Sequence, residues 1–352
     1  MSWVAALARP DIVALAPYEH APWQEGFTRL HANELPWRTA HDESHAGLNR
    51  YPEPQARALI ERLARLYQVS PENLLICRGS DEAIDLLVRG FCRAGTDAIL
   101  MTPPTFGVYA VAARIQGAKV VAVPLCAEAG FALDVQAVLA AARTSAVKLV
   151  FLCSPNNPTG NLLSETAILE VADALERRAI VVVDEAYIEF AARESLSTQV
   201  TRRPHLAVLR TLSKAHGLAG ARLGTLVADP EVIGLLRKLI APYAVPQLVL
   251  EAVLTLLSPA HLRTLPGRLA CLRAERTRLR QALAALPGVK AVLPSDANFL
   301  LARLDDPGVA LARARAARLL VRDARGYPGL ADALRISIGT AEQNEALLEA
   351  WS

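Results

Sequence analysis

The chain reads as an α/β protein, with a large unit built on a mostly parallel central sheet and a smaller α+β unit beside it. Three observations predict this. From about residue 55 to 230, short apolar runs alternate with amphipathic segments, the pattern of repeated strand–helix units. Beyond 230 the alternation gives way to consecutive helices and then to short strands. A length of 352 residues suits about two domains at roughly 150 residues each, and an apolar share of 52% is ample for their cores. The expected division is 30–240 for the large unit, with 1–29 and 241–352 forming the smaller one and an N-terminal arm.

In order, residues 1–30 form a mixed arm punctuated by Pro10, Pro17 and Pro22, and a Pro- and His-rich loop runs from Pro36 to Pro54. Strand-like apolar runs follow at 74–77, 98–101, 119–124, 149–153, 180–184, 205–209 and 223–228. Helical periodicity falls at 55–67, 81–91, 107–116, 134–143 and 165–177. In the second unit, helices are predicted at 231–240, 247–257 and 267–285, the last beginning just after Pro266. Strands are predicted at 290–293, 299–302, 319–322 and 334–338. No repeat of 20–50 residues is present.

Composition excludes several function classes. A net charge of +3, with arginines scattered among acids, makes no electrostatic case for nucleic acid. No run of about 18 apolar residues offers a membrane span. Cys77, Cys92, Cys126, Cys153 and Cys271 are odd in number and lack C-x-x-C spacing, so they read as free thiols in a reducing compartment. The start of the chain is a poor signal peptide, and the cytoplasm is the expected location. His41 and His45 flank Asp42-Glu43-Ser44, a solvated loop rather than a zinc site, and no metal is expected.

In a parallel sheet, ligands sit beyond the carboxyl ends of the strands. The residues with chemical potential fall there. The run 205–209 leads into Thr211-Leu-Ser-Lys214, and Lys214 is one of only five lysines among 38 basic residues. Arginine is a permanent cation, whereas a desolvated lysine can lose its proton and attack a carbonyl. A lysine flanked by Thr211 and Ser213, with Arg222 eight residues on, suits an aldehyde cofactor that carries a phosphate. Asp184 ends the buried run 180–184. Either it caps a turn, or it sets a carboxylate against a ring nitrogen and keeps that nitrogen protonated. Gly79-Ser80-Asp81 opens a helix whose free N–H groups would receive a phosphate, although an ordinary N-cap looks the same. Ser154-Pro-Asn-Asn-Pro-Thr-Gly160 is dense turn chemistry directly after a buried strand.

Taken together, Ser154–Gly160, Asp184-Glu-Ala-Tyr187 and the Ser213-Lys214 to Arg222-x-Gly224 stretch resemble the fold-type I pyridoxal-phosphate aminotransferases. The finer pattern resembles the histidinol-phosphate aminotransferases. It includes His31-Ala-Asn-Glu34, Asn49-Arg-Tyr-Pro-Glu53, Arg78-Gly-Ser-Asp-Glu82, Pro103-Pro-Thr-Phe-Gly-Val-Tyr109, Arg210–Ala215 and Leu334-Arg-Ile-Ser-Ile-Gly-Thr340. It spans the chain from about Leu15 to Thr340. The resemblance implies pyridoxal 5′-phosphate as cofactor, and histidinol phosphate with 2-oxoglutarate or glutamate as substrates. It also implies a homodimer with shared active sites.

Residue by residue, the resemblance makes Lys214 the covalent anchor and proton shuttle, and Asp184 the partner of the pyridine nitrogen. Asn157 and Tyr187 take the ring oxygen, and Tyr109 stacks on the ring. Ser80, Asp81, Thr211, Ser213 and Arg222 hold the phosphate, with Tyr51 reaching it from the other subunit. Tyr18, Asn33, Arg322 and Arg335 contact substrate. Two positions depart from the family pattern: His216 stands where Phe or Tyr is usual and reads as a packing residue near the lysine rather than a catalytic base, and Phe106 replaces a common Tyr. A threonine-phosphate decarboxylase and an aromatic-amino-acid aminotransferase share most of these motifs. A dehydrogenase does not, because Gly217, Gly220 and Gly224 lack G-x-G-x-x-G spacing.

Overall fold

The computed structural model describes every residue except Met1, Glu25 and Ser145. Its larger sheet holds β1 (Leu74–Cys77), β2 (Ala98–Met101), β3 (Lys119–Ala122), β4 (Val147–Cys153), β5 (Ile180–Asp184), β6 (Leu206–Thr211) and β7 (Gly224–Val227). Among the described residues these seven strands lie in the order β1-β7-β6-β5-β4-β2-β3. Pairings among β2 to β6 are parallel, and β7 runs antiparallel to both β6 and β1. The carboxyl ends of β1, β4, β5 and β6 therefore share one edge, together with the start of β7.

Alternation along the buried strands sends successive side chains to opposite faces. Val181, Val183 and Val208 face one core, formed with helices at Arg57–Tyr67, Val135–Thr144, Glu165–Ala174 and Gln247–Leu256. Ile180, Val182 and Leu209 face the other, formed with helices at Ser80–Phe91, Val108–Gln116 and Pro230–Arg237. The short helices Trp3–Leu7 and Pro10–Ala14 join this second core through Val4, Leu7 and Ile12. Arg9 N–H donates to the Gly90 carbonyl at 3.0 Å, and Lys238 Nζ donates to the Val13 carbonyl at 2.9 Å. Residues 3–14, expected to belong with 241–352, thus lie against the helices of the large sheet, because their apolar side chains find cover there.

The second sheet is antiparallel, in the order β10-β11-β9-β8: β8 (Val289–Val292), β9 (Phe299–Leu304), β10 (Arg322–Asp323) and β11 (Ala333–Ser337). Leu279 and Leu283 of the long helix, with Leu347, Leu348 and Trp351 of the last helix, cover it. That long helix runs Pro259–Ala284 and passes straight through Pro266. The expected start after Pro266 is eight residues late. Ser258 caps the helix by accepting from His261 N–H, and Pro259 sits at its first turn, where a missing N–H costs nothing. Among the described residues no single helix is long and apolar enough to cross a membrane.

Candidate active site

The shared strand edge opens onto a cavity of about 280 Å³. It is lined by Gly79, Ser80 and Asp81 after β1, Cys153 and Asn157 after β4, Asp184, Ala186 and Tyr187 after β5, and Thr211, Ser213 and Lys214 after β6. Arg222, Phe106, Arg322, Tyr327 and Arg335 complete it. Segments far apart in sequence thus place their chemically active side chains around one space.

Asp184 forms the floor and is 3% exposed. Its Oδ2 accepts from the Tyr109 hydroxyl at 2.7 Å and its Oδ1 from Ala186 N–H at 3.1 Å. Burial pushes its carboxyl up from the ordinary value, and the Tyr109 and Ala186 hydrogen bonds oppose that rise. Tyr187 is buried beside it, with its ring edge-on to Phe299 at 5.2 Å. Its hydroxyl lies 3.5 Å from Asn157 Nδ2, while Asn157 Oδ1 accepts from Arg335. Burial likewise raises the Tyr187 phenol.

Lys214 Nζ lies 5.7 Å from the centre of the Tyr187 ring. Desolvation lowers its ammonium pKa first, and the cations Arg335 and Arg222 lower it further, against Asp81 and Asp184. The loop that carries it is held locally. Thr211 Oγ1 donates to Ser213 Oγ at 3.0 Å and accepts from Ser213 N–H at 3.1 Å.

One end of the cavity is built by close backbone approach. Gly79 has φ +79°, and a Cβ there would strike Arg222 Nη2 at 2.8 Å. A Cβ on Gly224 would meet the Gly79 carbonyl carbon and the Ser80 nitrogen at 2.4 Å. The first turn of the Ser80–Phe91 helix thereby sits against the start of β7, with its free N–H groups beside Arg222. Arg222 Nη2 donates to Asp81 Oδ2 at 3.1 Å, so the Asp81 carboxylate orients the guanidinium.

Arg322 and Arg335 are direct register partners on β10 and β11 and bring two cations to the opposite wall. The Arg335 guanidinium lies 5.2 Å over the Phe299 ring.

Some expected residues lie elsewhere. Tyr109, expected on the cofactor ring, is fully buried beneath Asp184, stacked on Phe151 at 4.7 Å. It is the second residue of the Val108–Gln116 helix, and that position turns it into the core. Phe106, in the loop before the helix, is the aromatic side chain of this segment that lines the cavity, beside Tyr187 and Tyr327. Tyr51, Tyr18 and Asn33 do not line the cavity within this one chain. Tyr51 is half exposed and stacked on Tyr243 at 4.6 Å, Tyr18 is 72% exposed, and Asn33 is exposed with φ +55°. His216 is buried, with its ring 6.4 Å from that of His261. Tyr327 reaches the cavity from the loop between β10 and β11, where no sequence signal singled it out. Cys153 could have been found, since it ends β4 as Asp184 ends β5 and is paired with it in register.

A family model described as aminotransferase class I and II matches residues 28–350. The histidinol-phosphate aminotransferase of Stenotrophomonas maltophilia is 50% identical over 352 residues, covering 99% of this chain and 96% of that protein. That of Xylella fastidiosa is 51% identical over 320 residues, covering 91% and 87%. Among solved structures, histidinol-phosphate aminotransferase from Sinorhizobium meliloti in complex with pyridoxal-5'-phosphate superposes with a TM-score of 0.78 at 26% identity, covering 86% of this chain and 82% of that one. L-threonine-O-3-phosphate decarboxylase from Porphyromonas gingivalis superposes with a TM-score of 0.73 at 27% identity, covering 86% and 90%. With a doubly covered, mostly parallel sheet, a lysine at its carboxyl edge and these matches along its length, the chain belongs to the class I and II aminotransferase family, among its histidinol-phosphate aminotransferases.

Proposed function

We propose that the protein transfers the amino group of L-histidinol phosphate to 2-oxoglutarate, giving imidazole-acetol phosphate and glutamate, with pyridoxal 5′-phosphate held in the described cavity. The observation that carries this reading is the convergence of Lys214, Asp184 and Arg222 with a helix N-terminus around one space. The donor set fits that cofactor at each end: a buried carboxylate for a pyridinium, an amine with a lowered pKa for an aldehyde, and N–H groups with Arg222 for a phosphate.

When bound, the cofactor supplies the electron sink that makes a substrate Cα proton removable. The protein supplies the rest. Asp184 would hold the ring-nitrogen proton, and the Tyr109 hydrogen bond beneath it opposes the rise in pKa that burial causes. Asn157 and Tyr187 orient the ring oxygen, and Phe106 offers an apolar face to the ring. Ser80, Thr211, Ser213, Arg222 and the Asp81 N–H bind the phosphate. Lys214 is the covalent anchor. With its amine free, its Nζ would be the base that takes the substrate Cα proton and gives it back in the course of the transfer. Arg335 and Arg322 bind the anionic end of either substrate, the phosphate of histidinol phosphate or a carboxylate of glutamate.

Large apolar side chains exposed between Leu15 and Tyr51, among them Trp23, Phe27, Leu30, Trp37 and Leu48, support a homodimer in which this arm is covered. Tyr51 then serves the neighbouring site, with Tyr18 and Asn33 completing the substrate pocket. The free cysteines suit the cytoplasm.

The test is to incubate purified protein with histidinol phosphate and 2-oxoglutarate and to measure glutamate. Lys214→Ala should abolish its formation. Release of CO2 from threonine phosphate without glutamate, or near wild-type transamination by Lys214→Ala, would refute the proposal.

A further inference from the structure

Beneath the Lys214 loop lies a buried polar cluster that the transamination chemistry does not use. Its centre is Arg210, the next-to-last residue of β6, which is only 6% exposed. Its guanidinium sits 4.5 Å over the Tyr67 ring, on the side of the sheet covered by the Arg57–Tyr67 helix.

Two arms leave this guanidinium. Nη2 donates to Glu189 Oε1 at 2.8 Å. Nη1 donates to Ser197 Oγ at 3.4 Å, Ser197 Oγ lies 2.7 Å from Ser195 Oγ, and the Ser195 hydroxyl donates to Glu185. The other Glu185 oxygen accepts from Leu196 N–H at 2.9 Å. Both arms return to one segment, because Glu185 directly follows Asp184 and Glu189 lies two residues beyond Tyr187. Arg210 itself directly precedes the Thr211–Lys214 loop. One side chain thus ties together the two segments that carry the carboxylate, the phenol and the amine of the site.

Burying one guanidinium with two carboxylates is costly, and apolar packing of similar volume often gives equal or greater stability. A planar fork of N–H donors adds direction, since each arm fixes an angle as well as a distance.

We propose that Arg210 is a positioning residue, which clamps the Asp184–Phe190 segment against the Thr211–Lys214 segment and so sets the angle at which Asp184 and Tyr187 face Lys214. This rests on the cofactor reading of the cavity. Ser197→Ala cuts one arm by removing a neutral hydroxyl. Glu189→Gln keeps the shape of the other arm and removes its charge. Arg210→Met removes both, and Arg210→Lys can restore only one.

The experiment loads each variant with pyridoxal phosphate and records the visible circular dichroism per bound cofactor, the melting temperature, and kcat and KM for histidinol phosphate. The dichroism reports ring orientation, which a loss of stability alone leaves unchanged. Each single-arm variant should weaken the band and lower kcat by about tenfold with KM little altered, the cost of a small misplacement of reacting groups. Arg210→Lys should fall between wild type and Arg210→Met. Wild-type dichroism and kcat with only a lower melting temperature would overturn the proposal. If Arg210→Met does not fold, Ser197→Ala and Glu189→Gln decide by the same criteria. Failure of the unmutated protein to develop a visible band would overturn the cofactor reading, and this inference with it. A normal band there with unaltered variants overturns the inference alone.

Discussion

The Tyr109 hydroxyl donates a 2.7 Å hydrogen bond to Asp184 Oδ2 from a position with no exposure to solvent. Burial raises the Asp184 pKa, and this bond is the largest influence working against burial. Tyr109→Phe should therefore let Asp184 keep its proton to higher pH. The acid limb of kcat should move upward, and kcat near neutrality should fall by roughly tenfold, the worth of one hydrogen bond to a charged group. A pH–rate profile of the variant checks this, and an unmoved acid limb would show that the phenol does not support the carboxylate.

Asp184 also makes the cofactor-free protein pH-sensitive. Its folded pKa is raised above the ordinary aspartate value of 3.8, mainly by burial. The native state therefore holds the proton longer than the unfolded chain does. The stability this contributes is present below 3.8 and is lost as pH rises through the folded value. Asp184→Asn, which carries no charge to bury, should raise the melting temperature of the cofactor-free protein at neutral pH, with the gain fading in acid. It should at the same time remove most transaminase activity, the trade expected where a site stores unfavourable burial. Calorimetry at two pH values, each without cofactor, is the measurement.

The same pair of residues shows where sequence reasoning stops. Asp184, Lys214, Asn157 and Thr211 were legible because each ends or closely follows an unmistakable strand, and parallel strands put such positions on one edge. Tyr109 and Phe106 stand three residues apart across a helix start, and which of them faces the cavity depends on helical phase, a property of packing. Tyr327 sits in a loop delivered by the pairing of β10 with β11, a long-range event with no local signal. Tyr51 and Tyr18 depend on a second chain in the proposed reading. The helix through Pro266 exceeds its predicted start because its N-terminal signals, Ser258 and Pro259, outweigh one interior proline.

Lys214 supplies a pH limb of opposite origin. Its pKa is lowered from 10.5 by desolvation first and by Arg335 next. Capture of an aldehyde needs the neutral amine. The rate at which cofactor-free protein turns yellow with pyridoxal phosphate should therefore rise with pH and level off below the ordinary lysine value. Arg335→Gln removes a cation that favours the neutral amine, so its limb should move to higher pH. The same substitution should raise KM for histidinol phosphate by about 10–100-fold, the loss of a charge-assisted bond. Stopped-flow absorbance across pH separates the two effects, and an unmoved limb in Arg335→Gln would rule out the coupling.

Gly224 and Gly234 make a matched pair of substitutions with opposite expected signs. At Gly224 a Cβ would lie 2.4 Å from the backbone of both Gly79 and Ser80, atoms that no side-chain rotation can move aside. Gly224→Ala must push the Ser80 helix away from β7, at a cost of about 1–3 kcal/mol for overpacking. Because that helix start and Arg222 would hold the cofactor phosphate in the proposed reading, affinity for pyridoxal phosphate should fall along with stability. Gly234 lies inside the Pro230–Arg237 helix, and a Cβ added there would meet nothing within 4 Å. Gly234→Ala should stabilise the protein by about 1 kcal/mol through helix propensity and leave cofactor affinity unchanged. Melting curves with and without cofactor give both numbers. Equal effects of the two substitutions on cofactor affinity would mean that the close approach of Gly224 does not shape the phosphate end of the site.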